Sequence, residues 1–446
     1  SSDWSSDVCS SDLNFNMLDP FINRGAPNER DWDGEYAGKW LDAASLLAAN
    51  TNHAGLKSRT NVFAEVFRRN QLPSGYMGIR ETPGGNWDMW NMWYALYGFM
   101  SHHEYQNSGE SLAAAERTGR YIVDAYLPPD NDINILSGAW SGGCTVDVLD
   151  QLMRLHRLTG DADLKAGLLC LGDRISNDYG PIGNMRDSGT VHLSHAYVVS
   201  AYLGGMAMYN RQRGDTDDLG WIEDVWQDMA TGHLFHTYSI GQGERLREPA
   251  DYLLGANKQE TCATVEWLLF TERMYLATGD VKYAGQIENT VYNALLGAQS
   301  TDGMNWMYHT RMNADEKDWF AHLVRCCYWS GPRGIARLPR YVFRTDREGL
   351  RVDFYEPATA TGLEVGGTTV DVTLEGDYPA SGLVTIVLTP AEPADFALKL
   401  RLPQWAEGID LTVNGQPAGV PLRPGQYAAV DRTWQAGDTV SLTLGM

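Results

Sequence analysis

Leu149-Asp150-Gln151-Leu152-Met153-Arg154-Leu155-His156-Arg157-Leu158, followed by Thr159-Gly160-Asp161, reads as a helix, its stop and the start of another. Glycine suits a left-handed helix end, and an acidic residue suits the positive N-terminus of the helix that follows. The same Gly-acidic punctuation recurs at Ser108-Gly109-Glu110, Arg213-Gly214-Asp215 and Thr278-Gly279-Asp280, the last leading into a helical segment from Tyr283 to Leu296. Marks about 50 to 65 residues apart over roughly 300 residues predict repeated helical hairpins. Stacked hairpins either stay open as a solenoid or close into an (α/α)6 toroid, and closure is the expectation. The segment Trp87 to Tyr97 places Trp87, Trp90, Tyr94 and Tyr97 on one helical face, as the lining of a concave interior would require. An ordinary core produces the same stripe, so spacing alone does not decide between the two.

Beyond Phe343 the texture changes to short alternating segments, Leu350 to Tyr355, Thr368 to Leu374, Val384 to Leu388, Phe396 to Leu402, Ile409 to Val413 and Thr439 to Leu444. Asn414-Gly415 is a hairpin-turn signal, and the whole region reads as a C-terminal β-sandwich. The expected organisation is therefore mainly α with a β domain: an (α/α)6 barrel over 14–343 and a β-sandwich over 344–446. The repeated Ser-Ser-Asp at the start, with Cys9 inside it, matches neither a signal peptide nor an amphipathic pattern, and 1–13 is expected to be a non-native or disordered leader. With no secretory leader legible, a cytoplasmic location is the expectation.

The 446 residues carry a formal net charge of -22. That balance disfavours nucleic acid, because phosphate binding needs a basic footprint. No long uncharged apolar run suggests a membrane span. A neutral oligosaccharide or glycoside is the expected partner, with a homodimer as the oligomeric state to test.

Six cysteines, at 9, 144, 170, 262, 326 and 327, are too sparse and uneven for a disulfide scaffold. Cys170 sits in the apolar run Leu168-Leu169-Cys170-Leu171 and is expected to be a buried, inert thiol. Cys144, Cys262 and the pair Cys326-Cys327 are left to explain. Lys258-Gln259-Glu260-Thr261-Cys262-Ala263-Thr264 opens a helix; in an extended lead-in residues two apart point the same way, so Glu260 and Cys262 can share a metal. The helix N-terminus favours a thiolate at Cys262. Adjacent cysteines such as Cys326 and Cys327 are poorly placed to pair with each other, yet both sulfurs can approach one soft cation. Three thiolates and a carboxylate form a four-coordinate set that suits zinc, Zn2+. Two core cysteines and a chance Glu-x-Cys would be the bland reading of the same residues.

Glu260-Thr261-Cys262-Ala263, Cys326-Cys327 followed by Ser-Gly-Pro-Arg-Gly, and Tyr292-Asn293-Ala294-Leu295-Leu296 between them resemble glycoside hydrolase family 127, the β-L-arabinofuranosidase family. The resemblance runs from about Glu35 into the β-sandwich and is strongest from His195 to Val342. It implies zinc ligands at Glu260, Cys262, Cys326 and Cys327, with Cys326 as nucleophile. It also implies a general acid/base at Glu244 in Gly243-Glu244-Arg245-Leu246, sixteen residues before Glu260. The bland reading of Glu244 is a solvated loop charge like Glu248.

A family histidine matches His195 in Ser194-His195-Ala196-Tyr197 and implies a sugar-hydroxyl contact, although a lone helical histidine is often structural. Two further family histidines are replaced, at Trp87-Asp88-Met89-Trp90 and at Gly143-Cys144. Trp87, Asp88, Trp90 and Cys144 thus become candidate substrate contacts, and the arabinofuranose preference is open. The expected reaction is a retaining double displacement in which a metal-bound thiolate replaces the usual second carboxylate. Two alternatives fit parts of the pattern: a non-catalytic glycan-binding toroid with a structural zinc, and a sugar epimerase, which would rely on histidine proton transfer and need no thiolate cluster.

Overall fold

The structure, a computed structural model, describes residues 17–25, 30–85, 87–128, 142–215, 217–249, 258–312 and 326–446. The leader expected over 1–13, with Cys9, lies outside the described residues. The chain forms two compact units: Ser1–Ala277 with Asn289–Ala336, and Thr278–Glu288 with Arg337–Met446. The change of texture read at Phe343 falls inside the second unit, which also takes in the chain from Thr278 to Glu288.

The first unit is an (α/α)6 toroid in which helices buried on every face alternate with amphipathic ones. Glu35–Thr51, Asp88–Gln106, Ala196–Arg213 and Thr261–Thr278 bury nearly every residue of their first three turns. Such all-round burial marks an inner ring. Gly109–Tyr126 instead buries Ser111, Ala114, Ala115, Thr118, Gly119, Ile122 and Tyr126, the three-and-four spacing of a helix with one face in water. Ala54–Arg69, Ala162–Asp178 and Gly220–Gly232 follow that outer pattern. Leu149–Leu158 and Cys326–Ala336 complete the inner ring, and the latter packs back on Glu35–Thr51, which closes it. No described helix is long and apolar enough to cross a membrane.

The punctuation that announced the hairpins works by more than one device. Gly214 and Gly279 do take left-handed conformations, at φ 72° and 71°. At the first mark Asn107 holds that role at φ 59°, and Ser108 caps the next helix by accepting from Ser111 N–H. At the second, Thr159 is extended and Asp161 is the cap, accepting from Leu164 N–H. Cys170 was expected to be buried and is exposed. The helical period turns Leu164, Gly167, Leu168 and Leu171 inward, which leaves position 170 facing water.

Two buried arginines of the ring are matched to carboxylates. Arg273 pairs with Asp150 and Glu266, and Asp150 also accepts from Trp93 Nε1 at 2.7 Å and Tyr97 Oη at 2.6 Å. Arg333 Nε donates to Asp42 at 3.0 Å, and its guanidinium lies 4.5 Å from the Tyr97 ring centroid. The helices Glu35–Thr51 and Asp88–Gln106 approach so closely at Gly38 that an added Cβ would lie 2.0 Å from the Tyr94 carbonyl oxygen. Because that obstacle is backbone, Gly38→Ala is expected to destabilise the protein by about 2–3 kcal/mol or more. Gly160→Ala, where nothing lies within 4 Å, should stay within about 0.5 kcal/mol. Denaturant unfolding of the two variants side by side checks the difference.

The second unit is a β-sandwich. A short ladder precedes it in the chain and belongs to the helical unit: β1 (Lys258–Glu260) pairs antiparallel with β2 (His309–Arg311). The sandwich strands are β3 (Phe343–Thr345), β4 (Gly349–Val352), β5 (Ala358–Val365), β6 (Thr368–Gly376), β7 (Leu383–Pro390), β8 (Ala394–Arg401), β9 (Glu407–Val413), β10 (Gln416–Pro417), β11 (Tyr427–Trp434) and β12 (Asp438–Gly445). One sheet runs β10-β9-β12-β7-β6-β5 and the other β11-β8-β4-β3. Asn414 and Gly415 form the tight β9–β10 hairpin with positive φ at both residues, 51° and 75°. The sequence did not suggest β5 or β11. Each is an edge strand with many exposed polar positions, which weakens the alternation that reveals buried strands.

Candidate active site

Five of the inner helices, all but Leu149–Leu158, present their N-termini to one cavity of about 470 Å³. Its lining includes Glu35 and Lys39 from the start of Glu35–Thr51, Trp87 and Trp90 around the start of Asp88–Gln106, and Cys144 from Gly143–Val146. It also includes His195, which precedes Ala196–Arg213, and Cys262 and Cys326 from the first residues of Thr261–Thr278 and Cys326–Ala336. Helix N-termini carry partial positive charge, so this end of the ring favours anionic side chains such as thiolates and carboxylates.

Glu260 ends β1 and Cys262 lies in the helix that follows directly. The junction is pinned because Thr261 N–H donates to the Tyr308 carbonyl at 3.1 Å and its hydroxyl donates to the Met307 carbonyl at 2.6 Å. Cys326 and Cys327 open the facing helix. Donor atoms of Glu260, Cys262, Cys326 and Cys327 all lie within 4.8 Å of one another and could hold a metal ion. Cys327 Sγ stands 3.2 Å from Cys262 Sγ, 4.0 Å from Cys326 Sγ and 3.6 Å from Glu260 Oε1. Glu260 Oε2 is buried with no hydrogen-bond partner among the described residues. A buried carboxylate oxygen in that condition is costly unless something coordinates it.

Sulfhydryl hydrogen bonds from Cys262 and Cys327 hold Cys326 down to about 5, whereas burial pushes Cys262 up to about 12 and raises Cys327. Of the vicinal pair, Cys326 lines the cavity while Cys327 is fully buried. The Ser-Gly-Pro-Arg-Gly run after the pair has a packing explanation: a Cβ at Gly331 would strike the Trp306 ring, and Arg333 reaches Asp42.

Glu244 sits on a two-residue turn in which Gly243 and Glu244 have φ of 53° and 75°, closed by Gln242 N–H to the Arg245 carbonyl at 2.8 Å. Positive φ at a glutamate is uncommon and is tolerated where surrounding contacts impose it. Here the Glu244 carbonyl accepts from Ala196 N–H at 2.8 Å, and Gly243 N–H donates to the Lys258 carbonyl at 2.9 Å. The carboxylate accepts a hydrogen bond from the Tyr308 hydroxyl, and its other oxygen lies 3.8 Å from His195 Nε2. Its side chain is 32% exposed, so an incoming water can reach it. Burial and Arg245 depress His195 to about 4, which keeps its imidazole neutral at physiological pH.

Of the candidate substrate contacts, Trp87, Trp90, Cys144 and His195 line the cavity and Asp88 does not. Asp88 is corrected to a structural role. One oxygen accepts from Tyr76 Oη at 2.7 Å, and the other accepts from the amides of Gly84 and Gly85 at 2.6 and 2.9 Å. The aromatic stripe divides in the same way: Trp87 and Trp90 face the cavity, whereas Tyr94 and Tyr97 are core. Glu35, Lys39 and Tyr308 were missed. The only sequence signal for the first two was an i, i+4 Glu-Lys pair, which commonly marks a solvated helix face.

Residues 13–340 match the family model described as the β-L-arabinofuranosidase GH127 catalytic domain, and 349–446 match the GH127 middle domain. A curated non-reducing end β-L-arabinofuranosidase from Bifidobacterium longum subsp. longum is 24% identical, over 91% of this chain and 69% of its own. A solved GH127 β-L-arabinofuranosidase from Geobacillus stearothermophilus T6 superposes with a TM-score of 0.82 at 20% identity, covering 97% of this chain and 75% of its own. A sugar epimerase from a ruminal bacterium shares the toroid, with a TM-score of 0.50 at 13% identity over 73% of this chain and 98% of its own.

Proposed function

The chain belongs to glycoside hydrolase family 127, and on that premise we propose that it releases a terminal β-L-arabinofuranose, or a related sugar, by a retaining double displacement with Cys326 as nucleophile and Glu244 as acid/base. The observation that carries this reading is that Cys326 and Glu244 line one cavity. The sulfur attacks the anomeric carbon as the bond to the leaving oxygen breaks, and Glu244 gives its proton to that oxygen. Water then transfers a proton to Glu244 while its oxygen displaces the sulfur, which returns as thiolate. Two inversions at one carbon amount to retention. The Tyr308 hydroxyl, hydrogen-bonded to Glu244, holds its carboxyl in place through these steps.

Three sulfurs and a carboxylate form a donor set that fits zinc, held by Glu260, Cys262, Cys326 and Cys327. When bound, zinc would keep the sulfurs deprotonated at neutral pH. Elemental analysis of purified protein should find about one zinc per chain; less than about a tenth of an equivalent, with no uptake on reconstitution, rejects the metal. The sugar is tested with nitrophenyl furanosides and pyranosides of several monosaccharides. Release from the β-L-arabinofuranoside or a close analogue supports the reading. Binding without any release would favour a glycan-binding toroid.

A further inference from the structure

We propose that Glu35, clamped between Lys39 and Trp90, reads a hydroxyl of the terminal sugar and so helps to set which sugar is accepted. The inference rests on the glycosidase reading and adds a specificity-determining residue to it.

Glu35 and Lys39 are 2% and 1% exposed, yet both line the cavity that contains Cys326 and Glu244. Charged side chains buried this deeply persist only when paired, and this pair is built with care for direction. Glu35 Oε2 accepts from Trp90 Nε1 at 2.8 Å and lies 3.3 Å from Lys39 Nζ. Lys39 Nζ is itself fixed over the Tyr94 ring, 4.8 Å from its centroid, and 5.7 Å from that of Tyr197. One carboxylate oxygen is thus committed to two fixed donors, which anchors the group in a cavity wall. A carboxylate held in that way suits a sugar hydroxyl, because its geometry is set before the ligand arrives.

The surroundings narrow the ligand further. Glu35, Glu244 and Glu260 are carboxylates on the lining, whereas Lys39 is the one lysine or arginine there among the described residues. A sugar bearing its own carboxylate would meet repulsion, so a neutral sugar is the fitting class. Trp90 supplies a ring surface, but its N–H is already committed to Glu35. On this side of the cavity, discrimination by hydroxyl position therefore falls to the carboxylate beside it.

The test compares wild type with Glu35→Gln and with the double variant Glu35→Gln/Lys39→Met. The double variant removes both charges, which guards against misfolding caused by an unpaired buried lysine. Binding of methyl β-L-arabinofuranoside and each of its monodeoxy analogues is measured by calorimetry, and kcat/KM is measured on the matching nitrophenyl glycosides. A hydroxyl bonded to a carboxylate predicts a loss of roughly 10- to 100-fold on the parent sugar and less than about 3-fold on the one analogue that lacks that hydroxyl. Equal losses on the parent and every analogue would mean a purely structural pair, and would overturn the inference. So would unchanged parent binding, or wild type that binds none of these sugars. Binding with the predicted pattern but no turnover would retain the inference and reject the hydrolytic reading.

Discussion

Glu244→Gln is expected to lower kcat on alkyl glycosides by about 10²- to 10⁴-fold, the range usual for losing a positioned general acid/base. The amide is nearly isosteric with the carboxyl and can still accept from the Tyr308 hydroxyl, so the turn at Gly243 and Glu244 should be retained. It cannot deliver a proton, and a poor leaving oxygen departs slowly without one. Nitrophenyl glycosides need less help, so their bond-cleavage step should suffer less. Glu244 is absent from the four-donor cluster, and metal content should therefore be unchanged. Near-wild-type rates on an alkyl glycoside would remove Glu244 from the chemistry, while loss of metal would show that it belongs to the cluster.

The second large effect concerns Cys326. A sugar-derived epoxide or haloacetamide should abolish activity by alkylating this residue, to an extent of about one adduct per chain once the sugar part has brought the reagent into near-attack geometry. Cys327 is fully buried, and Cys262 is 4% exposed and lies 3.2 Å from Ser330 Oγ, so Cys326 is the sulfur that the cavity leaves most open. Plain iodoacetamide lacks the sugar and should react far more slowly. Peptide mapping by mass spectrometry identifies the site. An adduct on Glu244, Glu260 or another carboxylate, with Cys326 unmodified in inactivated enzyme, would exclude the thiolate mechanism. Mapping is more informative than substitution here, because Cys326→Ser would alter the metal-binding set and the nucleophile together.

The hairpin repeats were legible because helix stops and caps are local devices. Gly214, Gly279, Ser108 and Asp161 act within a turn or two of the residues they serve. The β-sandwich was legible in its central strands for a related reason: alternation survives wherever one face is buried, and β5 and β11, at the edges, escaped. Cys170 shows the limit of reading composition without phase. It lies among leucines, yet the helix turns it outward. Asp88 shows a second limit, since a carboxylate beside two tryptophans could serve a ligand or its own loop, and Gly84 and Gly85 amides decided for the loop.

By itself the sequence determined what depends on near neighbours: the repeated helices, the β-rich end, and the presence of Glu260 and Cys262 two residues apart with a vicinal cysteine pair further on. Which side chains meet was left to the tertiary structure. Closing the ring brings the N-termini of helices that start at Glu35, Asp88, Ala196, Thr261 and Cys326 to one cavity, and places Lys39 among residues more than two hundred positions away. A buried Glu35–Lys39 pair and a solvated one have the same i, i+4 spacing. Only burial by the neighbouring inner helices removes water from that pair and turns an ordinary helix-surface pattern into part of a sugar-sized cavity.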